Sequence, residues 1–246
     1  MEAVSFGGSN LYSTEESKKV QFANGGLTEA GVSGLKKNDI DKFMSGKIAN
    51  ATPYIGNITE GLKGSSTPKD FEYLFQMTNA YMTDLNFDKE AFESYKQKQS
   101  AFFFQQEFYS YLLKENPRFT GIFPDEKAWE NTDYQLAYNK YKERFANAAD
   151  FEFFFVGNID DAKIEEYAAK YIASLPSNQT KEKAIDLGYR MLKGDHKKVV
   201  NKGSDPKSNV TIMFYGDATY TSDEALAMQA LGEVLTIFMV FLQEEA

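Results

Sequence analysis

Asp150-Phe151-Glu152-Phe153-Phe154-Phe155-Val156-Gly157-Asn158-Ile159-Asp160 is the stretch on which the fold reading turns. Four phenylalanines and a valine run up to a glycine, which predicts a buried strand ending in a tight turn. Asn158 or Asp160 then caps a helix whose inner face is Ile164, Tyr167, Ala168, Tyr171, Ile172 and Leu175. Tyr171-Ile172-Ala173-Ser174-Leu175-Pro176 closes that helix, because proline cannot continue it. Side chains alternate along a strand, so Phe151, Phe153 and Phe155 are expected on one side and Phe154 on the other. An apolar run on both sides predicts a central strand covered on both faces, with a cost of ~3–5 kcal/mol for Phe153→Ala.

Outward from this unit, the chain alternates short helices with strand-like runs. Residues 15–25 read as a helix capped by Thr14 and ended by Gly25-Gly26. Asn38-Asp39-Ile40-Asp41 opens a second short helix that stops at Gly46. Residues 47–55 and 57–62 read as paired strands around Gly56. Gly64-Ser65-Ser66-Thr67-Pro68 then starts a helix with Phe71, Leu74, Phe75, Thr78, Tyr81 and Met82 on one face. Asp88 begins the longest helix, to about Leu113, and residues 115–132 form a loop with a helical turn. Asp133 to Asn147 is helical, 177–195 is polar loop, 196–201 and 209–215 read as strands, and Thr221 caps a last helix. A weak repeat is visible: 47–82 and 197–235 both run strand, turn, strand, glycine, capped amphipathic helix. The expected architecture is α+β: two-layer rolls, each with an antiparallel sheet and helices on one face. A boundary is expected between 1–132 and 133–246.

The 246 residues carry 27 Lys+Arg against 36 Asp+Glu, a net charge of −9, which argues against a nucleic-acid surface. Cysteine is absent and His196 is the sole histidine, so thiolate zinc sites and multi-imidazole sites are excluded within this chain. His196 itself reads as a solvated histidine beside Lys197 and Lys198. Gly7-Gly8 and Gly25-Gly26 lack the lysine of a phosphate loop and read as turns. Asp160, Asp161, Glu165 and Glu166 complement a helix dipole. Asp84, Asn86 and Asp88 lack the glycine and closing glutamate of a calcium loop. Asn50, Asn57, Asn178 and Asn209 stand in glycosylation triplets, which are common by chance. Phe102-Phe103-Phe104 reads as core packing, with a neighbouring domain as the alternative. No run reaches the ~20 apolar residues of a membrane span. No basic, apolar leader opens the chain. Both ends read as cut, as though this were part of something longer.

The 150–160 stretch with 171–176 resembles the strand-helix opening of the C-terminal-type domain in M16 (pitrilysin/insulinase) zinc peptidases. Gly31-Val32-Ser33, Gly46-Lys47 and Glu60-Gly61-Leu62-Lys63-Gly64-Ser65-Ser66 resemble the preceding domain of long bacterial, PqqL-like members. The resemblance covers nearly the whole chain in order. It implies a two-layer roll, with paired rolls clasping a substrate chamber. In the active domain of that family, His-x-x-Glu-His on a helix binds zinc and supplies the general base. The corresponding helix here reads Lys18-Lys19-Val20-Gln21-Phe22-Ala23-Asn24, with neither histidine nor acid at those positions.

The resemblance therefore implies a non-catalytic half: 1–132 as the end of a third domain and 133–246 as the start of a fourth, truncated one. No catalytic, cofactor-binding or metal residue is expected here; zinc would sit in the parent enzyme's catalytic half. The implied partners are that catalytic half, on the same or a separate chain, and a peptide substrate. The implied location is the periplasm. The alternative is a stand-alone inactive partner for an active peptidase subunit. The apolar run 234–242 would have no cover in this chain, so self-association through it is expected.

Overall fold

A computed structural model describes residues 1–98, 109–119, 121, 124, 126–178, 180–199, 201, 210, 212–216, 219 and 221–244, with side chains up to residue 236. Its first strand, β1 (Glu2–Phe6), is flanked on both sides, by β3 (Thr59–Ser66) and by β4 (Glu152–Phe154). With β2 (Ala49–Ile55) beyond β3, the sheet order is β2-β3-β1-β4, antiparallel throughout. Ala3 lies opposite Leu62 and Phe153, and Ser5 opposite Glu60. These residues share the face turned to the helices, where Ala3, Ser5, Leu62 and Glu60 are buried. The opposite face carries Glu2, Lys63, Phe6 and Phe154 and is largely open to solvent.

The helical layer is built as the apolar periodicity requires. Helix α1 (Thr14–Val20) opens with a capping box: Ser13 Oγ accepts from Glu16 N at 3.2 Å and the Glu16 carboxylate accepts from Ser13 N at 2.9 Å. Ser13 rather than Thr14 is the cap, because only Ser13 has an acid three residues on to return the bond. That double bond, with Lys140 nearby, pulls the Glu16 carboxyl down to about 2. Gly25-Gly26 does not end a helix but lies inside α2 (Asn24–Leu27). A Cβ on Gly25 would meet Tyr95 Oη at 2.4 Å, and one on Gly26 would meet Tyr95 Cδ1 at 2.7 Å. These glycines are small so that an aromatic neighbour can pack against the backbone. That neighbour belongs to α5 (Lys89–Lys98).

Between them stand α3 (Lys37–Phe43) and α4 (Phe71–Thr83), the latter introduced by Pro68. The expected α4 face is the observed one, with Leu74, Phe75, Thr78, Tyr81 and Met82 buried over β2 and β3. Asp88 starts α5 by accepting from Glu90 N and Ala91 N. The expected continuation through Phe102-Phe103-Phe104 lies in residues 99–108, outside the described ones. A short α6 (Glu126–Glu130) brings Trp129 against Phe22, Phe92 and Tyr95. Helix α7 (Tyr134–Arg144), capped by Asp133, buries Tyr134, Ala137, Tyr141 and Arg144 along one stripe. Helix α8 (Asp161–Tyr167) is capped by Asp160, not Asn158, and continues as a π-helical turn over Ala168–Ile172.

The expectation of a central, doubly covered strand is corrected. The 150–157 stretch is an edge strand of three residues, not a central one. Phe151 is buried and Phe153 and Phe155 half-buried, as alternation requires, but Phe154 is 51% exposed. The cost of Phe153→Ala therefore falls below that of a fully buried ring. The division at 132/133 does not divide the compact unit Met1–Val200: β4 pairs with β1, and Asp133 N donates to Lys19 O. Backbone pairing between distant segments, invisible in a linear composition shift, joins the two sides.

The second unit, Asn201–Ala246, contains α9 (Ser222–Glu244), capped by Thr221 Oγ1 accepting from Glu224 N at 3.1 Å. The strands expected over 196–201 and 209–215 are not formed among the described residues; 202–209 lie outside them. Among the described residues the apparent repeat thus shows a hairpin in its first copy alone. Met228, Leu231 and Leu235 are correspondingly exposed rather than seated on a sheet of their own.

Candidate functional site

The helix that the sequence resemblance points to is committed to packing. Val20 and Ala23 are buried, Lys18 pairs with Glu15, and Gln21 Nε2 donates to Gly121 O at 2.6 Å. Among the described residues no group of three histidine, aspartate or glutamate side chains is arranged to hold a metal ion. A catalytic zinc does not fit this helix, whose buried positions present only apolar atoms. His196 is exposed: Nδ1 lies 3.3 Å from Tyr111 Oη and Nε2 lies 2.9 Å from Lys193 O. Asn86, set aside as a calcium ligand, is a backbone brace: its amide spans Gly34 N, Ala30 O and Leu35 O. Asn50 and Asn57 are exposed, Asn50 bonding Ser65 Oγ, and Asn209 lies outside the described residues.

The chemically distinctive place is a buried charge cluster at one end of the sheet. Glu60 occupies an inward position of β3 and is fully buried. Its Oε2 accepts from Gly8 N at 2.5 Å, while its Oε1 has no hydrogen-bond partner and lies 4.0 Å from Arg144 Nη1. Arg144 ends α7 and is itself buried. Its Nη1 and Nη2 both bind the Glu182 carboxylate, and Nη2 also reaches Glu143 Oε1 at 2.9 Å. Asp150 accepts from Glu182 N through both oxygens, at 3.2 and 3.1 Å. Arg118 closes the other side, donating to Tyr12 O and Ser9 O.

Burial pushes the Glu60 carboxyl up to about 7, prevailing over the Gly8 N–H bond and the nearby Arg144, which favour the anion. Burial likewise raises the Tyr12 phenol. Sequence reading missed this cluster, because its members are spread from Gly8 to Glu182. One signal was available: Glu60 falls on the inward phase of a strand, where an acid needs a partner.

The arrangement resembles a structural charge cluster rather than a reaction centre: no nucleophile or metal set adjoins it among the described residues. Residues 137–240 match the family model described as the peptidase M16 inactive domain. The chain is 19% identical over 239 residues to the probable zinc protease PqqL of Haemophilus influenzae, covering 95% of this chain and 26% of that protein. It thus spans about a quarter of the length of that curated relative. The fold is similar to the periplasmic protease PqqL from Escherichia coli, with TM-score 0.58 at 18% identity over 75% of this chain and 21% of that one. It is also similar to a peptidase M16 inactive domain from Pseudomonas fluorescens, with TM-score 0.50 at 17% identity over 75% and 48% of the two chains. The chain is thus similar to M16 peptidases, and residues 137–240 match the inactive-domain type of that family.

Proposed function

We propose that this chain serves as a non-catalytic, substrate-chamber half of an M16-type zinc metallopeptidase. The single observation that carries the reading is the match of 137–240 to the inactive domain, joined to a sequence with one histidine and no cysteine. The parent reaction is hydrolysis of a peptide bond by zinc-activated water, with every zinc ligand supplied by the catalytic half. This chain's part is to present a wall to the peptide: the open sheet face with Phe6, Phe154, Glu2 and Lys63 offers apolar and charged contacts. A periplasmic location follows the described location of the Escherichia coli relative. Among the described residues no helix is long and apolar enough to cross a membrane.

We place the changeover from third-domain-type to fourth-domain-type sequence at 132/133, supported by the inactive-domain match that begins at residue 137, with part of 133–200 pairing on the sheet begun at β1. The purified chain is expected to bind no stoichiometric zinc and to cleave no peptide. Metal analysis by mass spectrometry checks this; one tightly held zinc per chain, lost on His196→Ala, would overturn it. Addition of a separately produced His-x-x-Glu-His half should yield activity if the two halves form one enzyme.

The 234–242 run is proposed to mediate self-association, since α9 already exposes Met228, Val234 and Leu235. Light scattering should show concentration-dependent dimers or larger species that Val234→Asp and Phe238→Asp abolish. A monomer at all concentrations would rule this surface out.

A further inference from the structure

Arg144 stands between two carboxylates, both of which approach its Nη1. Glu182, on the surface segment 177–195, takes both Nη groups. Glu60, in the core, keeps an unpartnered oxygen 4.0 Å from Nη1, and Arg144 Nε has no partner either. The segment bearing Glu182 has no helix or strand of its own. It is held by point contacts: Asp150 to Glu182 N, Asn147 Nδ2 to Thr180 O at 2.8 Å, Asn10 Nδ2 to Ile185 O at 2.7 Å, and Leu192 N to Leu112 O at 3.2 Å. Of the two ion pairs that reach it, Arg144–Glu182 and Lys181–Asp150, the Arg144 pair is the closer and the doubly bonded one. Gly7 makes room for it: a Cβ there would meet Glu182 Oε2 at 2.9 Å and Arg144 Nη1 at 3.0 Å.

We propose that Arg144 is a two-partner clasp: bound to Glu182 it straps segment 177–192 to the roll, and an ionised Glu60 draws it inward and loosens the strap. The direction follows from solvation. A Glu60 anion is sealed from water and has only Gly8 N–H and Arg144 to stabilise it, whereas Glu182 is partly exposed and is stabilised by water when released. The other carboxylates at the site act against ionisation of Glu60, so its anion forms only as pH rises. Glu143 and Glu182 bind the guanidinium, Asp150 adds negative charge felt by Glu60, and Lys181 lies 3.9 Å from Asp150. Tyr12, buried against the Arg144 guanidinium, is neutral throughout the physiological range. Below about pH 7 Glu60 is neutral and leaves Arg144 to Glu182; above it, the two carboxylates compete.

Hydrogen exchange of the whole chain tests this, with rates referred to the intrinsic exchange rate at each pH. Protection of amides in 180–186 should fall by about tenfold between pH 6 and pH 8.5, the scale of one pKa unit of differential interaction, while amides of α4 stay unchanged. Glu60→Gln should hold the high protection at both pH values. Glu182→Gln, a change on the outer side of the cluster, should give low protection at both. Equal protection at pH 6 and pH 8.5 in the unmodified chain overturns the proposal whatever the variants do. A pH dependence that survives in Glu60→Gln also overturns it.

Discussion

Replacing Phe75 by alanine should lower the unfolding free energy of the Met1–Val200 unit by about 3–5 kcal/mol, the range for a fully buried aromatic. Phe75 is 1% exposed. Its ring stacks on Phe155 at 5.0 Å with 7° between planes, and it meets Phe71 edge-on at 5.0 Å and Tyr167 at 5.8 Å. Removing it strips one helix-face anchor and unseats the ring that follows β4, so transfer and cavity costs add. Phe154→Ala is the control: the same residue type, half exposed on the open face, should cost well under half as much. Urea melts followed by the fluorescence of Trp129, which sits in the aromatic cluster of this unit, give both numbers. A Phe75→Ala loss under about 1 kcal/mol would show that α4 does not pack on the sheet in this register.

Arg144→Met should cost about 3–5 kcal/mol at pH 8, the range for breaking a buried ion pair by removing one partner. The methionine keeps much of the volume and removes the charge, so Glu60 and Glu182 lose their shared cation. Glu60 carries most of the penalty, because it has no route to water. The sign of the pH effect follows from its direction of shift. A carboxyl raised from the usual range to about 7 holds its proton in the folded state where the unfolded chain has released it. Stability of the unmodified chain therefore falls as pH rises from about 4.5 to about 7. Glu60→Gln should flatten that fall and, combined with Arg144→Met, should recover a large part of the loss. Strict additivity of the two changes in a double-mutant cycle would mean the groups do not interact.

How far the sequence carries is visible element by element. The α4 face was readable because its apolar residues recur at helical spacing, and such a stripe has one place to go. The helix capped at Asp160 and the turn at Gly157 were readable for similar local reasons: a short-range hydrogen bond and a backbone angle, +152° at that glycine. Residue inventory alone excluded thiolate and multi-imidazole zinc sites within this chain, since it holds one histidine and no cysteine. The family likeness rested on the order of local patterns, and those persist at identities where contacts do not.

Long-range pairing was not readable. Phe153-Phe154-Phe155 announces an apolar strand, but whether its second face is covered depends on what lies beyond it in space; here nothing in the described sheet does. The same limit hid the cluster of Gly8, Glu60, Arg144, Asp150 and Glu182, drawn together by the register of β1 on β3 and by the strap across the end of α7. Sequence by itself determined the α4 face, the helix starts at Asp88, Asp133 and Asp160 and the inward phase of the 151–155 stretch, because each is set by neighbours within a few residues. The tertiary structure alone decided that β4 is an edge, that part of 133–200 pairs on the sheet begun at β1, and that an acid on β3 shares one arginine with a surface loop. Those outcomes depend on segments up to 175 residues apart being brought within hydrogen-bonding distance, and loop-closure entropy opposes that until the whole sheet and its helical layer form together.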